Sequence, residues 1–297
     1  MEYMIENGVL KHYYGKTASF TVPEGVLAIG NYAFSDCTVL ETLRLPKSLQ
    51  SIGEGAFSGC ENLVNLKIPD GVKRIGAYAF EKCHRLVDKD GFILHRNCLF
   101  QYYGRAREPK IPDHVTEIAT GAFLGCMQLE RLRVPEGVKT IGAMCFAHCK
   151  SLQWIVLPPS LKQIGYGAFL NCSAMQAITI PEGIDRIEDL LFDGCSSLQH
   201  ALLPLSIRSI GNYAFSRCES LEEQSIPACT DRIGKYAFCF CDRLRTLAVP
   251  RSVTNIGADV FNNCNRPSVL TEKGSYAHMW AKEFHIPVHF MESQSTV

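Results

Sequence analysis

No stretch of the 297 residues approaches the ~20 consecutive apolar positions of a membrane-spanning helix, so membrane insertion is not expected. Nor is there an excess of charge of either sign. Lys plus Arg number 30 and Asp plus Glu number 30, which removes any global pull toward nucleic acid or an anionic membrane. The opening residues, Met1-Glu2-Tyr3-Met4-Ile5-Glu6, lack the basic and apolar regions of a signal peptide. With Met1 as the native start a cytoplasmic location is expected; a longer precursor would leave the cell surface or secretion as the alternative. Also missing are a glycine-rich phosphate loop, a G-x-S-x-G elbow and any C-x-x-C pair, and none of the nine histidines has an acid or cysteine partner at a motif spacing. These gaps argue against an enzyme and lead us to expect no cofactor and no metal.

What is present is a repeat. Proline falls at 23, 46, 69, 112, 135, 158, 181, 204, 227 and 250, at a spacing of 23 with one exception. Six residues after each proline stands isoleucine, from Ile29 to Ile256. Five further on comes phenylalanine: Phe34, Phe57, Phe80, Phe123, Phe146, Phe169, Phe192, Phe215, Phe238 and Phe261. Three beyond that is always cysteine: Cys37, Cys60, Cys83, Cys126, Cys149, Cys172, Cys195, Cys218, Cys241 and Cys264.

Within one unit, Leu43 to Cys60, a short alternating stretch reads as a strand with Leu43 and Leu45 turned inward. Pro46 has no N–H for a ladder and ends it. A second extended piece reaches Ile52, Gly53 is expected to allow a turn, and Ala-Phe-x-x-Cys reads as a helical or 3₁₀ turn. One such coil cannot bury its own apolar edge, whereas ten stacked coils share a continuous core with their strands in a parallel sheet. Ala119 and Glu188 stand at the glycine position, so positive φ is not expected there in every coil; Thr230 and Cys145 are further departures, expected to weaken their coils slightly.

The Pro-x-x-Val-x-x-Ile-Gly-x-x-Ala-Phe-x-x-Cys unit resembles the leucine-rich repeat of the BspA-like class of bacterial and protozoan proteins over nearly the whole chain. The resemblance implies a leucine-rich-repeat solenoid: a right-handed curved superhelix with a parallel sheet on its concave face, short extended or 3₁₀/helical turns on the convex side, and here a short C-terminal capping helix. It also implies a binding or adhesin-like role, often at cell surfaces, and names no ligand. No wall-anchor motif or cell-wall module is visible in the sequence, which counts against the adhesin expectation.

Cys83 and Cys126 are 43 residues apart, one repeat plus 20 residues. The extra segment repeats the start of the chain, Leu99-Phe100-Gln101-Tyr102-Tyr103-Gly104 matching Leu10-Lys11-His12-Tyr13-Tyr14-Gly15. The expected organisation is an N-terminal strand-like cap over 1–18, repeats over 19–86, an inserted hairpin over 87–108 that opens the second block and projects from the stack, and repeats over 109–264. A C-terminal cap over 265–291 follows, with a helix at 275–284 whose apolar positions are 277, 280, 281 and 284, and then a frayed tail over 292–297. Asp88-Lys89-Asp90-Gly91 opens like a calcium loop, but position twelve would be Leu99 instead of glutamate, so it reads as a turn.

Ten of the fourteen cysteines occupy the repeat position, where an inward thiol fills a small space and can bond backbone. Neighbouring thiols at the ~4.8 Å coil spacing are too far apart for a relaxed disulfide, so reduced, buried thiols are expected. Outward positions of the main sheet lie two and four residues before each proline. They carry a basic stripe, Arg44, Lys67, Lys110, Arg131 and Arg133, and then an apolar patch around Trp154, Val156 and Leu202. Exposed tryptophan rimmed by arginine has the composition of a protein-binding hot spot, so a protein or peptide partner on this concave face is the expected function. Glycan recognition, or a spacer displaying the inserted hairpin, are the alternatives.

Overall fold

The structure, a computed structural model, describes residues 2–291; the tail expected at 292–297 lies outside them. The chain divides into two compact units, Met1–Arg105 with Ile118–Phe123, and Ala106–Glu117 with Leu124–Val297. Each is a parallel β-solenoid in which the 23-residue coils contribute the same three pieces, except that the coil around Pro112 has no strand ahead of its proline.

The first piece is a three-residue strand ahead of proline. In the first unit Ser19–Thr21, Thr42–Arg44 and Asn65–Lys67 pair in parallel, Leu43 lying beside Phe20 and Leu66. The second is a two-residue strand ending on the repeat isoleucine, as in the pairing of Ile29 with Ile52 and Ile52 with Ile75. In the second unit the same two ladders recur, for example Leu132 beside Ile155 and Ile210 beside Ile233.

The third piece, around Ala-Phe-x-x-Cys, is a run of turns and not a helix. Cys37 N–H bonds back to Phe34 O at 3.2 Å, while the N–H groups of Tyr32, Phe34 and Asp36 reach forward to Glu54, Ala56 and Ser58 carbonyls at 2.7 to 2.8 Å. Alternate donors can point to the next coil because Tyr32 and Asp36 are left-handed, with φ of 55° and 56°. The positive φ expected of Gly53 therefore belongs to its neighbours. Gly53 itself is required by crowding: a Cβ there would lie 2.6 Å from Asn31 N of the preceding coil. Neither Ala119 nor Glu188 has a positive φ.

Side chains from the three pieces meet in the core. Phe169 stacks on Phe146 at 5.5 Å and on Phe192 at 5.7 Å, with interplanar angles of 7° and 8°. The repeat phenylalanines from Phe34 to Phe238 are buried, whereas Phe261, at the end of the row, is half-buried against Trp280 at 6.1 Å. Thr230 is fully buried, and its hydroxyl donates to Ile207 O at 3.0 Å, so the departure from Val, Leu or Ile leaves no polar group unsatisfied.

Tyr13 and Tyr102 stand at equivalent places in the two matching segments and do the same work. Tyr13 N–H bonds Ala33 O and Tyr102 N–H bonds Ala122 O, each at 2.8 Å, and each tyrosine ring lies 5.1 Å from the next repeat phenylalanine, Phe34 or Phe123. The inserted segment forms a hairpin, Phe92–His95 with Cys98–Tyr102, but it does not project as expected. Phe92, Ile93, Leu99 and Tyr102 are buried, because Tyr102 completes the aromatic row instead of leaving it open. Asp88 Oδ1 accepts from the N–H groups of Asp90 and Phe92 at 2.9 Å, a turn that uses the carboxylate.

At the C-terminus the ladder runs past Cys264, contrary to the expected stop. Thr246–Ala248 pairs with Ser268–Thr271, which pairs with Val288–Phe290. Between the last two strands the helix spans Tyr276–Glu283, its N-cap Ser275 accepting from His278 N. Ala277, Trp280 and Ala281 are buried, but Phe284 is the C-cap and 59% exposed, so it does not join the packed face.

Removing a ring with neighbours on both faces leaves a cavity that the rigid stack cannot close. Phe169→Ala is expected to destabilise by about 3–5 kcal/mol, and Phe261→Ala by clearly less, as measured by urea unfolding monitored by circular dichroism. Equal losses at the two positions would contradict the packing described.

Candidate functional site

The repeat cysteines were the first candidates for chemistry. Their thiols donate to the carbonyl of the phenylalanine one coil back: Cys60 to Phe34 and Cys83 to Phe57 at 3.1 Å, then Cys172, Cys195, Cys218, Cys241 and Cys264 to Phe146, Phe169, Phe192, Phe215 and Phe238 at 2.9 to 3.3 Å. None of the fourteen cysteines is in a disulfide. Tyr103 of the inserted segment takes the same role, its hydroxyl donating to Phe80 O at 3.2 Å. Burial pushes Cys83, Cys126 and Cys195 up to about 12, so these groups stay protonated and unreactive at neutral pH. At the two ends of the row Cys37 and Cys264 lie below the usual thiol range, through hydrogen bonds from Cys60 and Cys241. Among the described residues no group of three or more His, Cys, Asp or Glu side chains could hold a metal ion.

The exposed strand face is a different kind of surface. Successive strand residues turn to opposite sides, so burying Leu132, Ile155, Ile178 and Ala201 forces their neighbours outward. In the second unit Arg131 lies beside Trp154 and Arg133 beside Val156. Trp154 is 47% exposed, and with Arg131, Gln153, Gln176 and Ala177 it lines a shallow groove of about 410 Å³. Val156 is half-buried. Two strands along from Trp154, Leu202 is 65% exposed, and Leu205 just past Pro204 is equally bare.

The basic residues read from the sequence fall in both units. Arg44 and Lys67, paired on adjacent strands of the first unit, line a groove of about 1100 Å³ with Thr42, Asn65, Lys47 and Pro69. Lys110 is in the second unit, exposed but on irregular backbone, since residues 106–111 form no strand. Arg131 and Arg133 are thus the two basic residues that the structure brings together with the apolar patch.

Sequence reasoning missed a second groove, of about 550 Å³, on the turn side of the second unit. Tyr213 and Tyr236 stack there at 4.9 Å and 8°, near Tyr166, Leu190 and Phe240. Beneath them Asp193, 3% exposed, is held by Arg217 at 2.6 and 3.0 Å in a two-pronged ion pair. The available signal was the recurrence of large residues at the left-handed position nine after proline, Leu190, Tyr213 and Tyr236. With its buried carboxylate paired to Arg217, this groove presents mainly the faces of its tyrosines and Phe240.

The model of the BspA type leucine rich repeat region matches residues 4–90, 95–199 and 174–274, in 6 copies. No curated protein matches the chain in sequence. Among solved structures it is similar to a leucine-rich repeat protein from Bacteroides ovatus, at 23% identity over 96% of this chain and 87% of that one, with a TM-score of 0.41. It is also similar to a leucine rich cell surface protein from Faecalibacterium prausnitzii, at 24% identity over 94% of each chain and a TM-score of 0.40. A leucine-rich repeat protein from Eubacterium ventriosum matches at 18% identity over 88% of this chain and 91% of that one, with a TM-score of 0.48.

Thiol exposure is directly measurable. Ellman's reagent on the native protein is expected to label exposed Cys229 first and half-buried Cys37 and Cys264 more slowly, the rest reacting only after denaturation. Raised folded-state thiol pKa values also fix a sign. Their stabilising effect is complete below the unfolded value of about 8.5 and is lost above it, by about 1.4 kcal/mol per buried thiol for each pH unit toward 12. Urea midpoints that do not fall between about pH 9 and 11 would contradict this.

Proposed function

The chain belongs to the BspA-type leucine-rich repeat family, and on that premise we propose that it is a protein-binding module whose working surface is the strand face carrying Arg131, Arg133, Trp154, Val156 and Leu202. The observation that carries the reading is the half-bare indole of Trp154, flanked by Arg131 and Val156 on a face built only of strands. Burying an exposed tryptophan against a partner releases a large apolar area, and arginine supplies directed hydrogen bonds at the rim. A partner of matching chemistry is a protein or peptide with apolar groups beside carboxylates. Lys110, in the same unit, is a further basic contact in this proposal, and Arg44 and Lys67 are proposed as basic contacts of the first unit's own strand face. The protein carries out no reaction in it; the solenoid holds the surface in register and the surface binds.

Buried cysteines without disulfides support a reducing compartment, and a cytoplasmic location is part of the same proposal. Among the described residues no helix is long and apolar enough to cross a membrane.

The test is affinity capture with the tagged chain. The double variant Trp154→Ala, Arg133→Ala is expected to bind the recovered partner about thirtyfold or more weakly, the effect of a ~2 kcal/mol hot spot, with an unchanged circular dichroism spectrum. Undiminished binding by the double variant would refute this surface.

A further inference from the structure

The strand face of the second unit reads the same from both ends in chemical terms. The first outward position of five successive strands carries Arg131, Trp154, Ala177, His200 and Glu223. Moving inward from either end the order is a charge, then a ring, then a small residue at the centre. The charges at the two ends are opposite. In the second outward position, Val156 and Leu202 flank Thr179 in the same way.

Such a surface is complementary to itself. A two-fold axis lying in an interface and running along the strand Ala177–Thr179 reverses the order of the coils while keeping strand direction. It brings Arg131 to Glu223 of the partner subunit, Trp154 to the partner's His200, and Val156 to the partner's Leu202. Ala177 and Thr179 meet their own copies at the axis, where small side chains allow close approach. Each contact off the axis occurs twice, as an isologous interface requires.

Nothing else neutralises these charges: among the described residues neither Arg131, Arg133 nor Glu223 takes part in an ion pair. Four coil steps of ~4.8 Å separate Arg131 from Glu223 by ~19 Å, more than twice the ~8 Å screening length at physiological salt. Each end therefore responds to a partner's charge and not to the other end of its own face.

We propose that this face binds a second copy of the chain in a two-fold symmetric dimer, an inference that rests on reading the strand face as a binding surface. Five coils of ~4.8 Å by three-residue strands of ~3.3 Å per residue outline ~240 Å² per copy, well below the ~800 Å² of a standard interface. The dimer is accordingly reversible and depends on concentration.

Sedimentation velocity over ~1 to ~500 µM tests it, in the range where micromolar association is visible. The wild-type chain is expected to shift from monomer to dimer. Arg131→Glu alone sets Glu against Glu at both ends, and Glu223→Arg alone sets Arg against Arg, so each variant should weaken association by about tenfold or more. An equimolar mixture of the two variants restores both opposite-charge pairs and should dimerise, as should the double variant carrying both changes. Circular dichroism controls for folding of these exposed-site variants. A wild-type chain that stays monomeric throughout, single variants that associate like wild type, or a mixture that does not recover would each overturn the dimer. The capture experiment with Trp154→Ala, Arg133→Ala is read separately: if the wild-type chain stays monomeric while that variant loses a different protein partner, the dimer falls and the binding face stands.

Discussion

Everything in each unit depends on the contact between one repeat phenylalanine and the next. A coil of 23 residues has too little apolar surface to close on itself, so its ring is buried only when the adjoining coil covers it. Phe169 shows the consequence, lying between Phe146 and Phe192 with nearly parallel planes. The backbone follows the same register: thiols three residues after the rings bond carbonyls one coil back, as Cys195 does to Phe169, and the glycine after most of the isoleucines lets the coil approach the preceding one, as Gly53 does at Asn31. An inserted segment, whatever its length, must therefore supply a coil's contacts or leave a ring uncovered.

That demand explains the inserted segment. It is 20 residues long and lacks the repeat signature, yet it supplies the same contacts by other means. Tyr102 replaces the repeat phenylalanine against Phe123, and the Tyr103 hydroxyl replaces the repeat thiol at Phe80 O. The matching segment at the N-terminus uses Tyr13 in the same way against Phe34. Phenol rings can substitute for both the phenylalanine and the cysteine because they combine apolar area with one hydroxyl donor. Both segments thus stand in for a coil without breaking the buried row.

With the interior committed to packing, specificity is left to the outward strand positions and to the turn side. Their side chains are free to vary because the pleat removes them from the core. In the second unit this freedom has produced a bare tryptophan, two unpaired arginines and a glutamate on one face, and a stacked pair of tyrosines over a neutralised Asp193 on another. The buried thiols of Cys83 and Cys195, in contrast, are held protonated by burial and bond backbone carbonyls.

The repeat, its inward residues and its strand pairings were legible in the sequence, because a period of 23 carried through ten copies fixes which side chains are equivalent and the two-residue alternation of a strand fixes which of them face in. The family was legible for the same reason. Outward placement of Arg131, Arg133, Trp154 and Leu202 followed from that alternation alone. Only the tertiary structure decided that the left-handed residues are Tyr32 and Asp36 and not the glycine, since that choice depends on which N–H groups find carbonyls in the next coil. It alone decided that the inserted hairpin is buried, that the ladder runs on to Val288–Phe290 past the last cysteine, and that Phe284 is left outside the cap. Each of these depends on partners distant in sequence, and pairing across such distances leaves no local pattern to read.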